Sequence, residues 1–228
     1  MTTLLALDAS STACSVALWQ DGKVTGAFEY APREHTRRLM PMIDDVLAEA
    51  DVSLAELDAL AYGRGPGSFT GIRIAAGTAQ GLAYGLERPL IPVSTLQAMA
   101  LGTHRQHGAQ LVIPAFDARM SELYICAYRC ENDQVTALMD EQVIAPEAFI
   151  LPSACEGERF MGVGSGWMLA SSLSQTIRDA VSRSLPEQEP DAADIVRLAA
   201  AMFAAGGGLA PHEAIPVYLR DKVTSRPK

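Results

Sequence analysis

Gly63-Arg64-Gly65-Pro66-Gly67-Ser68-Phe69-Thr70-Gly71-Ile72-Arg73 is a glycine-rich loop that leads directly into a segment of alanine and glycine. Glycines before a helix can bring backbone N–H groups close to a phosphate. A P-loop, however, has Lys and Ser or Thr directly after its last glycine, where this chain has Ile72 and Arg73. The glycines are spaced two, two and four residues apart, unlike a dinucleotide-binding loop. The loop therefore fits neither common nucleotide motif.

The helix predicted after this loop carries a stripe of glycines. Gly77, Gly81 and Gly85 recur every four residues and so share one side of the helix. Each glycine inside a helix costs about 1 kcal/mol relative to alanine. Close approach of another backbone would offset that cost. The sequence leaves open whether the neighbour is the chain's own sheet or a helix of a partner.

Composition limits the classes of protein to consider. The chain has 228 residues, 49% hydrophobic and 20% charged, which fits one large domain or two small ones that share a cleft. Its net charge of −9 argues against binding nucleic acid unaided, because neutralising phosphates supplies most of that affinity. The sequence contains neither a signal-like start nor an apolar run of about 20 residues, so we expect a cytoplasmic protein without membrane contact. The four cysteines include no C-x-x-C pair and are predicted to be reduced and buried.

Two halves of the chain show the same order of predicted elements. The first half has strands at 4–8, 14–19 and 24–30, a helix at 36–50, a strand at 57–62, the glycine loop with its helix, a strand at 90–93 and a helix at 95–101. The second has strands at 111–117, 122–128 and 135–144, a strand and glycine loop at 160–166, and a helix at 192–205. An acid, Asp8 or Asp117, ends the first strand of each half. The second half lacks the long helix.

This order predicts an α/β fold of two tandem β-β-β-α-β-α lobes that face each other across a cleft, with the second lobe truncated. We expect a first domain at residues 1–102, with the partner-binding helices. A smaller second domain at 103–228 is expected to include the C-terminal helix and tail.

Two such lobes, each with an acid after its first strand, resemble the superfamily of actin, the heat-shock ATPases and the sugar kinases, which has a ribonuclease H-like fold. More narrowly, Leu7-Asp8-Ala9-Ser10, residues 63–73 and Asp117-Ala118-Arg119 resemble the TsaB family. TsaB proteins are bacterial subunits needed to make threonylcarbamoyladenosine beside the tRNA anticodon. The resemblance extends from Leu4 to Arg220.

The resemblance implies a non-catalytic subunit that binds and activates TsaD, the paralogous transferase. TsaD holds a metal through a His-x-x-x-His motif, and this chain has Thr95 and Met99 at the two histidine positions. Neither side chain supplies the nitrogen donor of such a site. We therefore expect no metal and no catalytic residue. ATP or ADP is expected only at a boundary with a partner.

The resemblance also implies a four-helix interface, in which the two helices around residues 36–50 and 71–85 pair with the same helices of TsaD. The residues expected at this interface are His35, Leu39, Met42, Ile43, Val46, Ile72, Arg73, Ala76, Gly77, Gln80 and Gly81. The same surface is expected to close a homodimer when the chain is alone. The small ATPase TsaE is the further partner, and tRNA is reached only through the complex.

Two other functions remain open on the sequence. An autonomous ATPase or phosphotransferase could use the cleft, with these residues near the nucleotide: Asp8, Ser10, Thr12, Gly65, Gly67 and Asp117. Against it, no lysine follows the glycine loop, and both acids can instead hydrogen-bond the turns after them.

A peptidase is the third possible function, since relatives of TsaD were once called glycoproteases. The chain has no G-x-S-x-G elbow for that chemistry.

Overall fold

The computed structural model describes residues 2–220, so Lys222, Arg226 and Lys228 of the basic C-terminal segment lie outside it. Five strands form the first sheet: β1 Thr3–Asp8, β2 Ala13–Gln20, β3 Lys23–Tyr30, β4 Ala59–Gly63 and β5 Leu90–Val93. Their order is β3-β2-β1-β4-β5, with β1 antiparallel to β2 and parallel to β4. Both faces of β1 are buried, as expected for the central strand of a covered sheet.

Helices cover both faces of this sheet. They are α1 His35–Ala50, α2 Phe69–Leu86, α3 Thr95–His107 and the C-terminal α5 Ala192–Ala204. Leu5 and Leu7 of β1 pack against α1 and α2, whereas Leu4 and Ala6 pack against α3 and α5. The alternation follows the two-residue period of a strand.

Seven strands form the second sheet: β6 Leu111–Asp117, β7 Leu123–Ile125, β8 Tyr128–Glu131, β9 Gln134–Ala137, β10 Gln142–Ile144, β11 Phe160–Val163 and β12 Val181–Leu185. Five of them follow the order β10-β7-β6-β11-β12, and the β8–β9 hairpin pairs with the start of β6. A short helix, α4 Gln175–Ala180, connects to β12. The sheet packs on a core that includes Phe149, Phe160 and Trp167.

The expected two-lobed α/β fold is confirmed, and some elements and their packing differ from the prediction. The predicted strands 122–128 and 135–144 are each two short strands, and a 3-10 helix at Ser165–Ser172 follows the second glycine loop. The expected domain boundary at 102/103 falls inside α3. In addition, α5 packs on the first sheet and not on the second, because its apolar side covers the face that α1 and α2 leave open.

Within residues 2–220, no helix is long and apolar enough to span a bilayer. All four cysteines are buried and unpaired, as the sequence predicts. Burial raises the pKa of Cys14, Cys126 and Cys130 to about 12. These thiols are therefore protonated near neutral pH and are poor nucleophiles.

Candidate partner-binding site and interlobe cleft

The apolar sides of α1 and α2 face the first sheet and not the surface. Six residues expected at a partner interface are at most 3% exposed: Leu39, Met42, Ile43, Val46, Ile72 and Ala76. That expectation is corrected, because an amphipathic helix lying on a sheet turns its apolar side towards the sheet. These side chains stabilise the first lobe and are not available to a partner.

The opposite side of α2 is exposed and carries the glycine stripe. A β-carbon at Gly77, Gly81 or Gly85 would have no other atom within 4 Å. The chain's own sheet therefore does not explain these glycines. Of the two neighbours that the sequence left open, the sheet is thus ruled out, and a helix of a partner stays a prediction. We call Phe69, Arg73, Gly77, Gly81 and Tyr84 the exposed α2 face.

Arg73 lies on this face beside two aromatic rings. Its Cζ is 3.4 Å from the ring centroid of Phe69 and 5.1 Å from that of Tyr218. Its Nε donates a hydrogen bond of 2.9 Å to Tyr218 Oη. Among the ion pairs of the described residues, none includes Arg73. The guanidinium is therefore held in one orientation without a counter-charge from residues 2–220.

Tyr218 belongs to the C-terminal strap, residues 209–220, which runs along α2 and then crosses to the second lobe. Gln80 Nε2 donates to the carbonyl oxygens of Pro211 and Ala214 at 3.0 and 2.7 Å. Val217 N donates to Arg64 O at 2.8 Å. Arg220 then forms an ion pair with Glu122 of the second lobe. Gln80 thus binds the strap within the chain.

His35, also expected at the partner interface, is turned towards the chain itself. It is the first residue of α1 and half-buried, and its Nε2 lies 3.1 Å from Ser11 O in the turn between β1 and β2. Of the eleven expected interface residues, Arg73, Gly77 and Gly81 are the three that the structure leaves exposed.

A cleft of about 710 Å³ lies between the two lobes. Its walls are the turn at 10–12, the start of α2, the turn at 117–120, residues 165–169 and the end of the strap. Polar and apolar groups both line it, with Ser10, Thr12 and Ser165 near Phe116 and Tyr124. The expected cleft between the lobes is present.

The glycine loop packs against the turn between β1 and β2. A β-carbon at Gly71 would overlap the carbonyl oxygen of Ala9, and one at Gly67 would crowd Ser10. Ser68 N donates to Ser10 O at 2.7 Å, and Ser68 Oγ accepts from Gly71 N at 3.3 Å as the helix cap. These two glycines therefore allow two stretches of backbone to touch. Gly67 lines the cleft, whereas Gly65 packs against Val217 O in the strap and does not.

Asp8 is 1% exposed and does not line the cleft. Its Oδ2 accepts from Ser10 N at 3.0 Å and Ser10 Oγ at 2.9 Å, and its Oδ1 has no hydrogen-bond partner. Burial raises the pKa of Asp8 to about 7, and the charges of Asp191 and Glu189 add to that rise. A carboxyl group in this position is poorly placed to hold Mg²⁺ in the cleft.

Asp117, in contrast, lines the cleft. Its Oδ1 accepts from Arg119 N at 2.8 Å, and its backbone N donates to Ser165 Oγ at 3.2 Å. Thr12 also lines the cleft and donates to Glu189 Oε1 at 2.6 Å. The alternative role foreseen for the two acids is confirmed, since each binds the turn that follows it. The structure does not bring both carboxylates to the cleft.

The start of α3 holds Thr95 and Met99, both buried. Beside them, Ser94 Oγ and Tyr128 Oη donate to Glu141 Oε1, the latter at 2.8 Å. Glu141 Oε2 lies 3.6 Å from Arg64. Its carboxylate is thus satisfied by hydroxyl donors and a guanidinium. Across residues 2–220, no group of three or more His, Cys, Asp or Glu side chains is arranged to hold a metal.

Sequence reasoning missed two features of these sites. The first is Tyr218, whose hydrogen bond to Arg73 joins residues 145 positions apart. The second is the turn after Asp117, where Arg119, Met120 and Ser121 have φ values of 64°, 57° and 59°. Three successive non-glycine residues in the left-handed region are unusual, and the sequence there contains no glycine or asparagine to signal them.

Comparison with known proteins gives consistent matches over most of the chain. Residues 29–227 match the family model of TsaD, described as tRNA N6-adenosine threonylcarbamoyltransferase. The chain is 46% identical over 221 residues to the tRNA threonylcarbamoyladenosine biosynthesis protein TsaB of Escherichia coli K12, which covers 96% of this chain and 95% of that protein. The protein of the same name from Haemophilus influenzae is 40% identical over 230 residues, covering 97% of this chain and 95% of that protein.

The fold also matches a solved structure. The structure of YeaZ from Pseudomonas aeruginosa superimposes on this chain with a TM-score of 0.91 and 41% sequence identity. The match covers 96% of this chain and 100% of YeaZ. The similarity therefore includes both lobes and the connection between them.

Proposed function

The chain belongs to the TsaB family of tRNA threonylcarbamoyladenosine biosynthesis proteins, and on that premise we propose that it is a non-catalytic subunit that binds and activates the TsaD-type transferase. The observation that carries this proposal is the exposed α2 face. Gly77 and Gly81 on this face leave open space at the surface, although alanine would make a more stable helix. A partner helix that packs closely on α2 accounts for their presence.

The match to the TsaD family model supports the choice of partner. A transferase with the same fold has its own pair of helices in the positions of α1 and α2. Two similar pairs can pack across a pseudo-twofold axis and form a four-helix interface. Glycines at the contact let helix axes approach more closely than larger side chains permit.

The test is to fill the open space at Gly81. Gly81→Leu should leave the chain folded, because leucine favours a helix and meets no atom there, but should prevent capture of the transferase in a co-purification. A matched control is Thr176→Leu, which adds the same exposed side chain to α4 on the second lobe. Capture of the transferase by Gly81→Leu at the wild-type level would contradict the proposal.

Three observations support a subunit without chemistry of its own. Asp8 is buried beneath the surface of the cleft, and the family resemblance implies that Thr95 and Met99 occupy the positions of the transferase's histidines. In the described part of the chain, no serine hydroxyl is hydrogen-bonded to a histidine ring, which weakens the peptidase reading. A nucleotide is proposed only at a boundary with a partner.

The remaining parts of the proposal concern the wider assembly. We place the protein in the cytoplasm, where the TsaE ATPase joins the pair that it forms with the transferase. Because the chain carries a net charge of −9, tRNA is contacted through the complex and not by this subunit alone. Without the transferase, the exposed α2 face closes a homodimer.

A further inference from the structure

Arg73 is the one charged residue among the 18 residues of α2. It stands on the same stripe as Gly77 and Gly81, at an interval of four residues. If a partner covers this stripe, the guanidinium loses contact with water. A buried cation without a counter-charge is strongly unfavourable. The partner must therefore place an acceptor, and preferably an anion, opposite Arg73.

The surroundings of Arg73 fix its direction before any partner arrives. The Phe69 ring stacks on the guanidinium, and Tyr218 Oη accepts the hydrogen bond from Nε. Tyr218 is itself held by the strap, in which Ala214 is fully buried. With Nε occupied, the terminal nitrogens are left to bind a ligand. A planar, oriented guanidinium suits a carboxylate, which can accept two hydrogen bonds from it.

We propose, on the basis of the proposed function, that Arg73 binds a carboxylate on the transferase helix that packs against α2, and that Tyr218 is the positioning residue for this contact. Most of this chain repels an acidic partner, since its net charge is −9. A single oriented cation on a neutral face then fixes both the register and the choice of partner. Holding the side chain in advance lowers the entropy lost when the complex forms.

The first experiment measures the dissociation constant with the purified transferase by titration calorimetry. Arg73→Ala should raise it at least about 30-fold, because the partner's carboxylate is left buried and unpaired. Arg73→Lys should give an intermediate value, since it keeps the charge and loses the fork of donors. Arg129→Ala removes a charge from β8 on the second lobe, where Arg129 pairs with Glu131 and Glu158, and should bind as wild type.

Salt dependence provides a second measurement on the same proteins. Between about 0.1 M and 1 M salt, the Debye length falls from about 10 to 3 Å. The wild-type dissociation constant should rise more across this range than that of Arg73→Ala. Equal salt dependence of the two proteins would contradict a charge contact at Arg73.

The role of Tyr218 is tested by a double-mutant cycle. Tyr218→Phe keeps the ring and removes the hydroxyl, and should weaken binding about threefold to tenfold. The same change in the Arg73→Ala background should have almost no further effect, because there is no longer a guanidinium to position. Additive effects would show that Tyr218 acts through the strap alone and would overturn its positioning role.

The variants separate this inference from the function on which it rests. If Arg73→Ala binds as wild type and Gly81→Leu does not bind, the carboxylate contact is overturned, but the exposed α2 face is still supported as the binding surface. Wild-type binding by both variants would overturn the two proposals together. Circular dichroism and thermal melting of each variant show that the isolated chain remains folded.

Discussion

Asp8 is a carboxyl group in a place where a charge is unfavourable. Its pKa is raised to about 7, first by burial and then by the nearby charges of Asp191 and Glu189, while the two hydrogen bonds from Ser10 act in the opposite direction. In the unfolded chain the pKa of an aspartate is about 3.9. Between these two values the folded protein binds more protons than the unfolded one. The contribution of Asp8 to stability therefore falls as the pH rises through this window.

This difference predicts a pH-dependent effect of Asp8→Asn. From about pH 4 to pH 7, the wild-type protein should lose up to about 4 kcal/mol of unfolding free energy relative to the variant, which cannot ionise at this site. Urea unfolding of both proteins at several pH values measures the difference. Asp194, whose pKa burial also raises to about 7, contributes equally to both proteins and cancels. Parallel stability curves would show that Asp8 is not buried as a neutral acid.

The glycines of α2 divide into two kinds, which the spacing alone does not distinguish. Gly71 touches the backbone of Ala9, whereas Gly77 and Gly81 face open space. Gly77 and Gly81 lower the stability of the helix, and no contact within residues 2–220 offsets that loss. Gly71 therefore serves the folding of the first turn, and we propose that Gly77 and Gly81 serve contact with a partner.

Alanine substitutions should consequently have opposite signs along this one helix. Gly77→Ala and Gly81→Ala should each raise the unfolding free energy by about 0.5–1 kcal/mol, because a methyl group fits and the unfolded chain is more restricted. Gly71→Ala should lower it by about 1–3 kcal/mol, since the methyl group forces the two loops apart. Denaturant unfolding, at a protein concentration where the chain is monomeric, measures all three. A loss of stability in Gly77→Ala would show that the stripe is already packed against something.

Local sequence patterns predicted the bounds of the helices better than the pairing of the strands. The predicted helices 36–50 and 192–205 differ from α1 and α5 by one residue at one end, because hydrophobic periodicity is a local property. The sequence pattern did not show that the predicted strand 122–128 divides into β7 and β8. The division arises because β6 pairs with β8 at Leu111–Val112 and with β7 at Ala115–Asp117, and this change of partner depends on distant residues.

The same limit applies to the candidate site. The apolar residues of α1 were correctly placed on one side of a helix, but periodicity does not say whether that side meets the chain's own sheet or another protein. Leu39 and Val46 meet the sheet. The spacing of Gly77 and Gly81 did place them together on one side of α2, and that side is exposed. The partner of Arg73, in contrast, is Tyr218, and no local pattern connects two residues so far apart.

In the whole molecule, the chain returns from the second lobe to the first and then reaches the second lobe again. The helix α5 packs on the first sheet, and the strap then follows α2 before Arg220 reaches Glu122 on the second lobe. The two lobes are thus connected by the segment that leads into α5 and by the strap. A partner that binds Arg73 also touches the segment that fastens them, through Tyr218.

The exposed α2 face is one surface, so it can serve either a second copy of the chain or the transferase at a given moment. We expect the isolated chain to be a dimer and Gly81→Leu to be a monomer, because leucine fills the space that the second copy would occupy. Sedimentation equilibrium measures both masses, with Arg129→Ala on the second lobe as a control that should dimerise normally. Adding the transferase to wild-type chains labelled with two dyes should abolish energy transfer across this face. A dimer that persists in Gly81→Leu would mean that the homodimer uses a different surface, and the competition between the two pairings would then not exist.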